Sequence, residues 1–255
     1  TQSYAFGWSV DYDALGQSTA FSPAASIQQL AGLKFVAAGA SRLQNAVAYI
    51  SPTFAGLTVR ADAAAGEQVT GTSGTANYDK ASKYYSLGAN YVQGPLSVGG
   101  GYMTIQDNNG TKNGAAEAKV SEWAIGANYD FKVVKPFLSY QQNKNTPAGA
   151  AEVTSKLWNL GVNVPVGAAG LIRAAYVDFK NDVSNANVKA KGWAINYNHS
   201  LSKRTTAYVG YQQINNGTYA SFTTESIGNG TAGSKPVTSN DKNASFYGVG
   251  INHTF

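Results

Sequence analysis

The chain has 255 residues, no cysteine and a net charge of +5, and 13% of its residues are charged. A soluble domain carries about 25% charged residues. Yet no stretch here reaches the ~20 apolar residues of a membrane-spanning helix. The longest weakly polar stretch, Leu30 to Ala40, is too short and contains Lys34. Without cysteine there is neither a disulfide framework nor a thiolate metal site. A charge-poor chain with 28 glycines and 16 tyrosines points to many β-strands with distinct apolar and polar faces.

The first residues, Thr1 to Phe6, lack the basic and apolar regions of a secretory signal. The sequence reads as a mature chain or as one beginning within a longer one. Residues 1–40 hold at most the end of one strand, around Thr1 to Val10. Asp11 to Ala40 is rich in Ser, Ala, Gly and Gln, with weak periodicity. An irregular stretch of that length is usually functional, and in a wide barrel its natural place is folded into the lumen.

From residue 41 the pattern becomes regular. Alternating segments are expected at Ser41–Ile50, Ala55–Ala63, Lys83–Tyr91, Leu96–Gln106, Lys119–Asp130 and Val133–Gln142. They continue at Thr154–Val164, Gly170–Lys180, Lys189–Ser200, Arg204–Ile214 and Ala244–Phe255. The connections between them are short and long in turn, the long ones being Ala64–Ser82, Asp107–Ala118, Asn143–Val153, Asn181–Val188 and Asn215–Asn243. That rhythm is the mark of an all-β, up-and-down antiparallel transmembrane β-barrel.

Strand side chains repeat every two residues, so alternation assigns the faces. Tyr247, Val249, Ile251, His253 and Phe255 share one side of the last segment. Trp123, Ile125, Ala127 and Tyr129 oppose Glu122, Ala124, Gly126 and Asn128. Aromatics recur at set heights. Tyr85, Trp123, Trp158, Trp193 and Tyr247, with Tyr102, Tyr140, Tyr176 and Tyr211, fall toward the long connections. Tyr49, Tyr91, Tyr129, Tyr197 and Phe255 fall toward the short ones. Two such belts mark two membrane interfaces, whereas a soluble sandwich has no need of them. The segments number about eleven, and single-chain bacterial barrels have even strand numbers. Further strands, on another fragment or in sequence not given, are therefore expected to complete the barrel.

All four arginines, Arg42, Arg60, Arg173 and Arg204, fall on the parity opposite the apolar face, and so does Lys135. An arginine facing lipid at mid-membrane costs about 2–4 kcal/mol, which by itself explains inward placement. The functional reading adds that guanidinium groups facing carboxylates across a constriction bias permeation toward anions. The candidate carboxylates are Asp11 and Asp13 on the inward segment and Asp62 and Glu122 on inward strand faces. Arg204 lies by a short turn, where it could serve only the rim. Neither histidine, His199 or His253, stands with a Ser and an acid at one height. No catalytic site is expected. Gly99-Gly100-Gly101 lacks the Lys and helix of a phosphate loop and more simply relieves crowding in a strand.

Several stretches resemble the Gram-negative general porins of the β-proteobacterial type. They are Ser41-Arg-Leu-Gln-Asn-Ala-Val-Ala-Tyr-Ile-Ser-Pro52 with Phe54-Ala-Gly-Leu57, and Tyr85-Ser-Leu-Gly-Ala-Asn-Tyr91 with Gly94-Pro-Leu-Ser-Val98. The others are Tyr197-Asn-His-Ser-Leu-Ser-Lys-Arg-Thr205 with Ala207-Tyr-Val-Gly-Tyr211, and Val249-Gly-Ile-Asn-His-Thr-Phe255. The resemblance spans residues 41–255. It implies a multi-pass barrel of the bacterial outer membrane with about 16 strands, a size that leaves an aqueous channel. About eleven of these lie in this chain, and residues 7–40 correspond to the inward constriction loop. It further implies a homotrimer among outer-membrane lipid and lipopolysaccharide, with no cofactor and no nucleic-acid partner. Such a barrel passes small hydrophilic solutes and anions, and the alternative it leaves open is a substrate-specific outer-membrane anion channel. Ala48 departs from the pattern, in which a lysine is common.

Overall fold

The computed structural model describes residues 11–16, 21–33, 35, 45–65, 83–107, 118–147, 150–183, 186–217, 220 and 242–255. Eleven strands form one sheet in sequence order. They are β1 (Ala46–Ile50), β2 (Leu57–Ala65), β3 (Lys83–Gln93), β4 (Leu96–Asp107), β5 (Ala118–Tyr129) and β6 (Lys135–Thr146). Then come β7 (Val153–Val166), β8 (Gly170–Val183), β9 (Ala186–Ser202), β10 (Thr205–Asn216) and β11 (Ala244–His253). Every neighbouring pair is antiparallel. Among the described residues β1 and β11 each have a single partner strand. No helix there is long and apolar enough to cross a membrane.

The short connections are tight turns. Gly94-Pro95 joins β3 to β4, and Lys203-Arg204 joins β9 to β10. Gly56 has φ +87°, and a Cβ there would meet the Val92 carbonyl oxygen at 2.5 Å, so only glycine fits. Lys132 holds φ 71° in the β5–β6 turn. The Asp130 carboxylate accepts its N–H at 2.7 Å and its ammonium at 3.4 Å. The backbone bond chiefly, helped by the ammonium, holds Asp130 below the usual carboxylate range.

Two segments expected as long connections are partly strand. β6 runs on to Thr146, with Asn143 opposite Ser155 and Asn145 opposite Val153. β8 and β9 continue to a hairpin tip in which Asn181 faces Val188 and Val183 faces Ala186. Their Asn, Asp and Lys residues have the composition of a loop. They lie beyond the apolar band, where a strand no longer needs greasy outward side chains, so the ladder persists while the alternation fades.

One face of the sheet is apolar and exposed. It shows Leu87, Ile125, Leu138, Leu160, Ile195, Val209 and Val249 between the aromatics. The register aligns those aromatics: Tyr102 opposes Trp123, Tyr140 opposes Trp158, Tyr176 opposes Trp193, and Tyr211 opposes Tyr247. Neighbouring rings touch, with centroids 5.1 Å apart for Trp123–Tyr140, 4.5 Å for Tyr140–Trp158 and 5.1 Å for Trp193–Tyr211. Tyr129 and Phe131 stack near the short turns at 4.5 Å. Apolar side chains exposed in a continuous band between aromatic rows need a hydrocarbon solvent.

The opposite face carries the buried polar side chains and a covering segment. Residues 11–16, 21–33 and 35 pack on it, burying Tyr12, Leu15, Phe21, Ile27, Leu33 and Phe35. Contrary to the irregular stretch expected from sequence, this segment holds a helix, α1 (Pro23–Leu30). Its start has Pro23 in the first turn and Ser22 at the N-cap, whose Oγ accepts Ala25 N–H at 3.2 Å. Its end is a Schellman motif. Leu33 N–H donates to Gln28 O at 2.9 Å and Gly32 N–H to Gln29 O at 3.2 Å, with Gly32 at φ +70°. Helix and wall share one apolar cluster of Ala24, Ile27, Leu33, Leu157, Val177, Phe179, Ala190 and Ile214.

Glycines on this face form the seat. A Cβ on Gly126 would lie 2.4 Å from Tyr12 Cγ, one on Gly161 2.5 Å from Ala14 Cβ, and one on Gly192 2.6 Å from Pro23 Cβ. The wall is bare at these points so that the segment's side chains lie directly on backbone.

Candidate functional site

The covered face is the candidate site, because it gathers the charged residues that alternation turns away from the apolar face. Hydrogen bonds fasten the segment to it. Tyr12 Oη donates to Asn90 Oδ1 at 2.5 Å, and Asn128 Nδ2 donates to the Asp11 carbonyl at 2.9 Å. Gln28 Nε2 donates to Gln141 Oε1 at 2.6 Å, and Gln212 Nε2 donates to Ser26 Oγ at 3.0 Å.

Glu122 is fully buried. Its Oε1 accepts the Phe35 backbone N–H at 2.6 Å and Gln141 Nε2 at 2.5 Å, while Oε2 accepts Asn143 Nδ2 at 2.6 Å. An ionised carboxylate in such a place needs several donors, and here they include the segment's own backbone. Asp13 is likewise buried. Its Oδ1 accepts Leu15 N–H at 3.1 Å and its Oδ2 accepts Ser22 Oγ at 2.5 Å. Asp13 therefore shapes the segment and fixes the helix N-cap. Neither carboxylate borders open water, unlike the pore-lining position expected from sequence.

Arg60 and Asp62 lie two residues apart on β2, hence on one face. Arg60 Nη2 sits 2.9 Å from Asp62 Oδ1, and Nε contacts both carboxylate oxygens at 2.9 and 3.1 Å. Ser86 Oγ, directly across on β3, donates to Asp62 Oδ2 at 2.9 Å. The Asp62 side chain is 2% exposed and that of Arg60 14%. The sequence reading set arginine and carboxylate across the lumen from each other, but this pair lies along one wall. A guanidinium on a long stem reaches its own strand's next inward residue. Ala48 stands opposite Asp62 on β1.

Arg173, on β8, is half-buried, stands between Asn163 of β7 and Asn196 of β9, and lies in electrostatic reach of Asp13. Its Nε makes no hydrogen bond among the described residues. Lys135 is partly exposed, has its ammonium 5.2 Å from the Phe137 ring centroid, and lies in electrostatic reach of the exposed Asp11. Arg204 is in the β9–β10 turn. Its Nε donates to the Thr254 carbonyl at 2.7 Å, and its own carbonyl accepts Thr254 N–H at 2.9 Å. It ties the end of the chain to the rim. Arg42 lies outside the described residues. Both histidines sit exposed by the short turns, with His199 Nδ1 2.9 Å from Tyr197 Oη and His253 Nδ1 2.9 Å from Thr205 Oγ1.

The arrangement is a polar, charged wall with a segment laid on it, behind an apolar face edged by aromatics. Residues 2–219 match the family described as Gram-negative porin. The chain belongs to the Gram-negative porin family. Porins are outer-membrane proteins, so the apolar band faces outer-membrane lipid and the fold is a transmembrane antiparallel up-and-down β-barrel. The anion-selective porin from Comamonas acidovorans is similar in structure, with TM-score 0.64 and 24% identity over 85% of this chain and 61% of that one. OmpT, an outer membrane protein of Vibrio cholerae, gives 0.62 and 13% identity over 82% of this chain and 63% of that one. Its trimer form gives 0.60 and 13% over 83% and 64%. This porin chain thus spans less than two thirds of the length of each. No curated protein sequence is significantly similar to it.

Proposed function

We propose that the barrel is a water-filled channel for passive diffusion of small hydrophilic solutes and ions, with a modest preference for anions. The observation that carries this reading is the division of charge on the inner face. Arg60, Arg173 and Lys135 keep partial exposure there, while Asp13, Asp62 and Glu122 are buried and hydrogen-bonded. Mobile ions meet more accessible cationic than anionic groups, and such linings raise the local concentration of anions. The similarity to an anion-selective porin supports the sign of the preference. Residues 11–16, 21–33 and 35, packed on the inner face, belong to the part of the chain that narrows the lumen, and Arg60, Lys135 and Asp11 border the water beside them. Family and fold point to a channel rather than an enzyme, and the trimer form of a structural relative supports a homotrimer.

The test is the reversal potential of the purified protein in a planar bilayer under a KCl gradient. Open channels with a potential shifted toward that of chloride support the reading. A closed bilayer, or a potential shifted strongly toward that of potassium, would sink it.

A further inference from the structure

β3, β5, β7, β9 and β11 all run toward the short-turn side. Each carries an asparagine on its inward parity near that end, at Asn90, Asn128, Asn163, Asn198 and Asn252. Each of these lies five residues after the aromatic of the upper row on its own strand: Tyr85, Trp123, Trp158, Trp193 and Tyr247. The register repeats the same spacing. Asn90 is level with Gly126 through Gly99, and Asn128 with Gly161 through Phe137. Asn163 is level with Asn196 through Arg173, and Asn198 with Gly250 through Tyr208. Each time the next asparagine stands two residues further on, a stagger of one residue per strand. With a rise of about 3.3 Å and a strand spacing of about 4.8 Å, that line departs from the hydrogen-bonding direction by about 35°. Strands of a membrane barrel tilt by about 35–45°. Tilt therefore cancels stagger, and the carboxamides stand at one height along the inner wall.

The first limb of the inward segment lies on three of them. Asn90 Oδ1 accepts Tyr12 Oη, and Asn128 Nδ2 donates to the Asp11 carbonyl at 2.9 Å. The Asn163 amide, turned with its nitrogen toward the segment, donates to the Ala14 carbonyl at 3.0 Å. The latter two hold main chain, so they fix the backbone itself. Gly126 and Gly161, two residues before Asn128 and Asn163, let Tyr12 and Ala14 down onto the wall at the same steps. Among the described residues Asn198 makes no hydrogen bond to the segment.

We propose that Asn128 and Asn163 are positioning residues of the channel. Their carboxamides fix how far residues 11–16 stand from the wall, and so set the largest solute that the lumen passes. This role rests on the channel reading. An undocked segment widens the lumen, so a solute too large for the docked state crosses in proportion to the undocked fraction. Loss of two ordinary hydrogen bonds raises that fraction about 30-fold.

Swelling of liposomes that carry the purified protein, in arabinose and in the tetrasaccharide stachyose, tests it. Wild type is expected to pass arabinose readily and stachyose only at a trace rate. Asn128→Leu/Asn163→Leu, close in size but without donors, raises the stachyose rate about 30-fold and leaves the arabinose rate unchanged. Asn198→Leu, at the same height but away from the segment, matches wild type for both sugars. If the double variant does not fold, Asn163→Leu alone is expected to raise the stachyose rate about fivefold. Free passage of stachyose through wild type, an unchanged stachyose rate in the double variant, or the same rise in Asn198→Leu overturns the proposal. If wild type passes neither sugar, the channel reading fails and amide exchange of Leu15 and Gly16 in detergent micelles decides the positioning role. Exchange about 30-fold faster in the double variant supports it, and exchange at the wild-type rate overturns it.

Discussion

Gly126→Ala is the sharpest perturbation of the seat that holds the inward segment. The new Cβ would stand 2.4, 2.5 and 2.6 Å from Cγ, Cδ2 and Cβ of Tyr12, where carbon atoms prefer about 3.5–4.0 Å. Tyr12 is fully buried against Phe35, Tyr84, Met103 and Ala124 and has no free space to rotate into. The segment must therefore lift by about 1 Å to restore contact distance. Overpacking of that kind costs about 1–3 kcal/mol. Stretching the bond from Tyr12 Oη to Asn90 adds about 1 kcal/mol. A total of about 2–4 kcal/mol on docking raises the undocked fraction by about 30-fold to several hundredfold. Hydrogen exchange in detergent micelles reads this directly. The amides of Leu15, Gly16 and Leu33 should exchange faster by that factor, while the strand amides of β4 to β6 keep their protection. In a Tyr12→Ala background Gly126→Ala should add little further loss, since the truncated side chain no longer meets the new Cβ. Segment exchange within twofold of wild type, or loosening confined to the strands, would refute the seat.

Glu122→Ala leaves the Phe35 N–H and the Gln141 and Asn143 amides without their carboxylate, and is expected to cost about 2–5 kcal/mol. Urea unfolding in detergent micelles measures it. Arg60→Ser leaves Asp62 without its cation, so the reversal potential should move toward potassium. Asp62→Asn and Ala48→Lys should move it toward chloride. The Asp130 turn predicts a pH dependence. Its folded pKa is depressed, so the stabilisation is present above the unfolded value of about 3.9 and is lost as pH falls through the lower folded value. Asp130→Asn should flatten the acid limb of unfolding midpoint against pH, and leave the profile above pH ~5 unchanged.

The barrel was legible because a strand bathed by lipid on one side and water on the other must alternate, and the aromatics mark where the bilayer ends. Every one of the eleven expected segments contains a strand. Legibility failed where that solvent contrast fails. Above the belt, Val177 and Phe179 turn inward beneath α1 and Asp178 and Lys180 turn outward, which inverts the pattern read lower down. The helix announced itself only through Ser22-Pro23 and Ala31-Gly32, punctuation that weak periodicity obscured. Glu122 has inward parity and Asp13 lies on the segment expected inside the barrel, yet neither placement says that packing covers the carboxylate. Arg60 was placed on the correct face, but its partner depends on side-chain reach along β2. Lys156, Lys180 and Lys189 meet only through the register of three strands, so their juxtaposition is invisible along the chain.

The polar and apolar positions of each strand face water and lipid respectively. A chain without cysteine allows each position to be probed singly with an introduced thiol. Thr58→Cys, on the inner parity of β2, and Leu87→Cys, exposed on the apolar face of β3, are each treated with a charged methanethiosulfonate in a planar bilayer. Conductance is expected to fall on modification at position 58 and to stay unchanged at 87. A fall in conductance on modification at 87 with none at 58 would mean that the two faces are reversed.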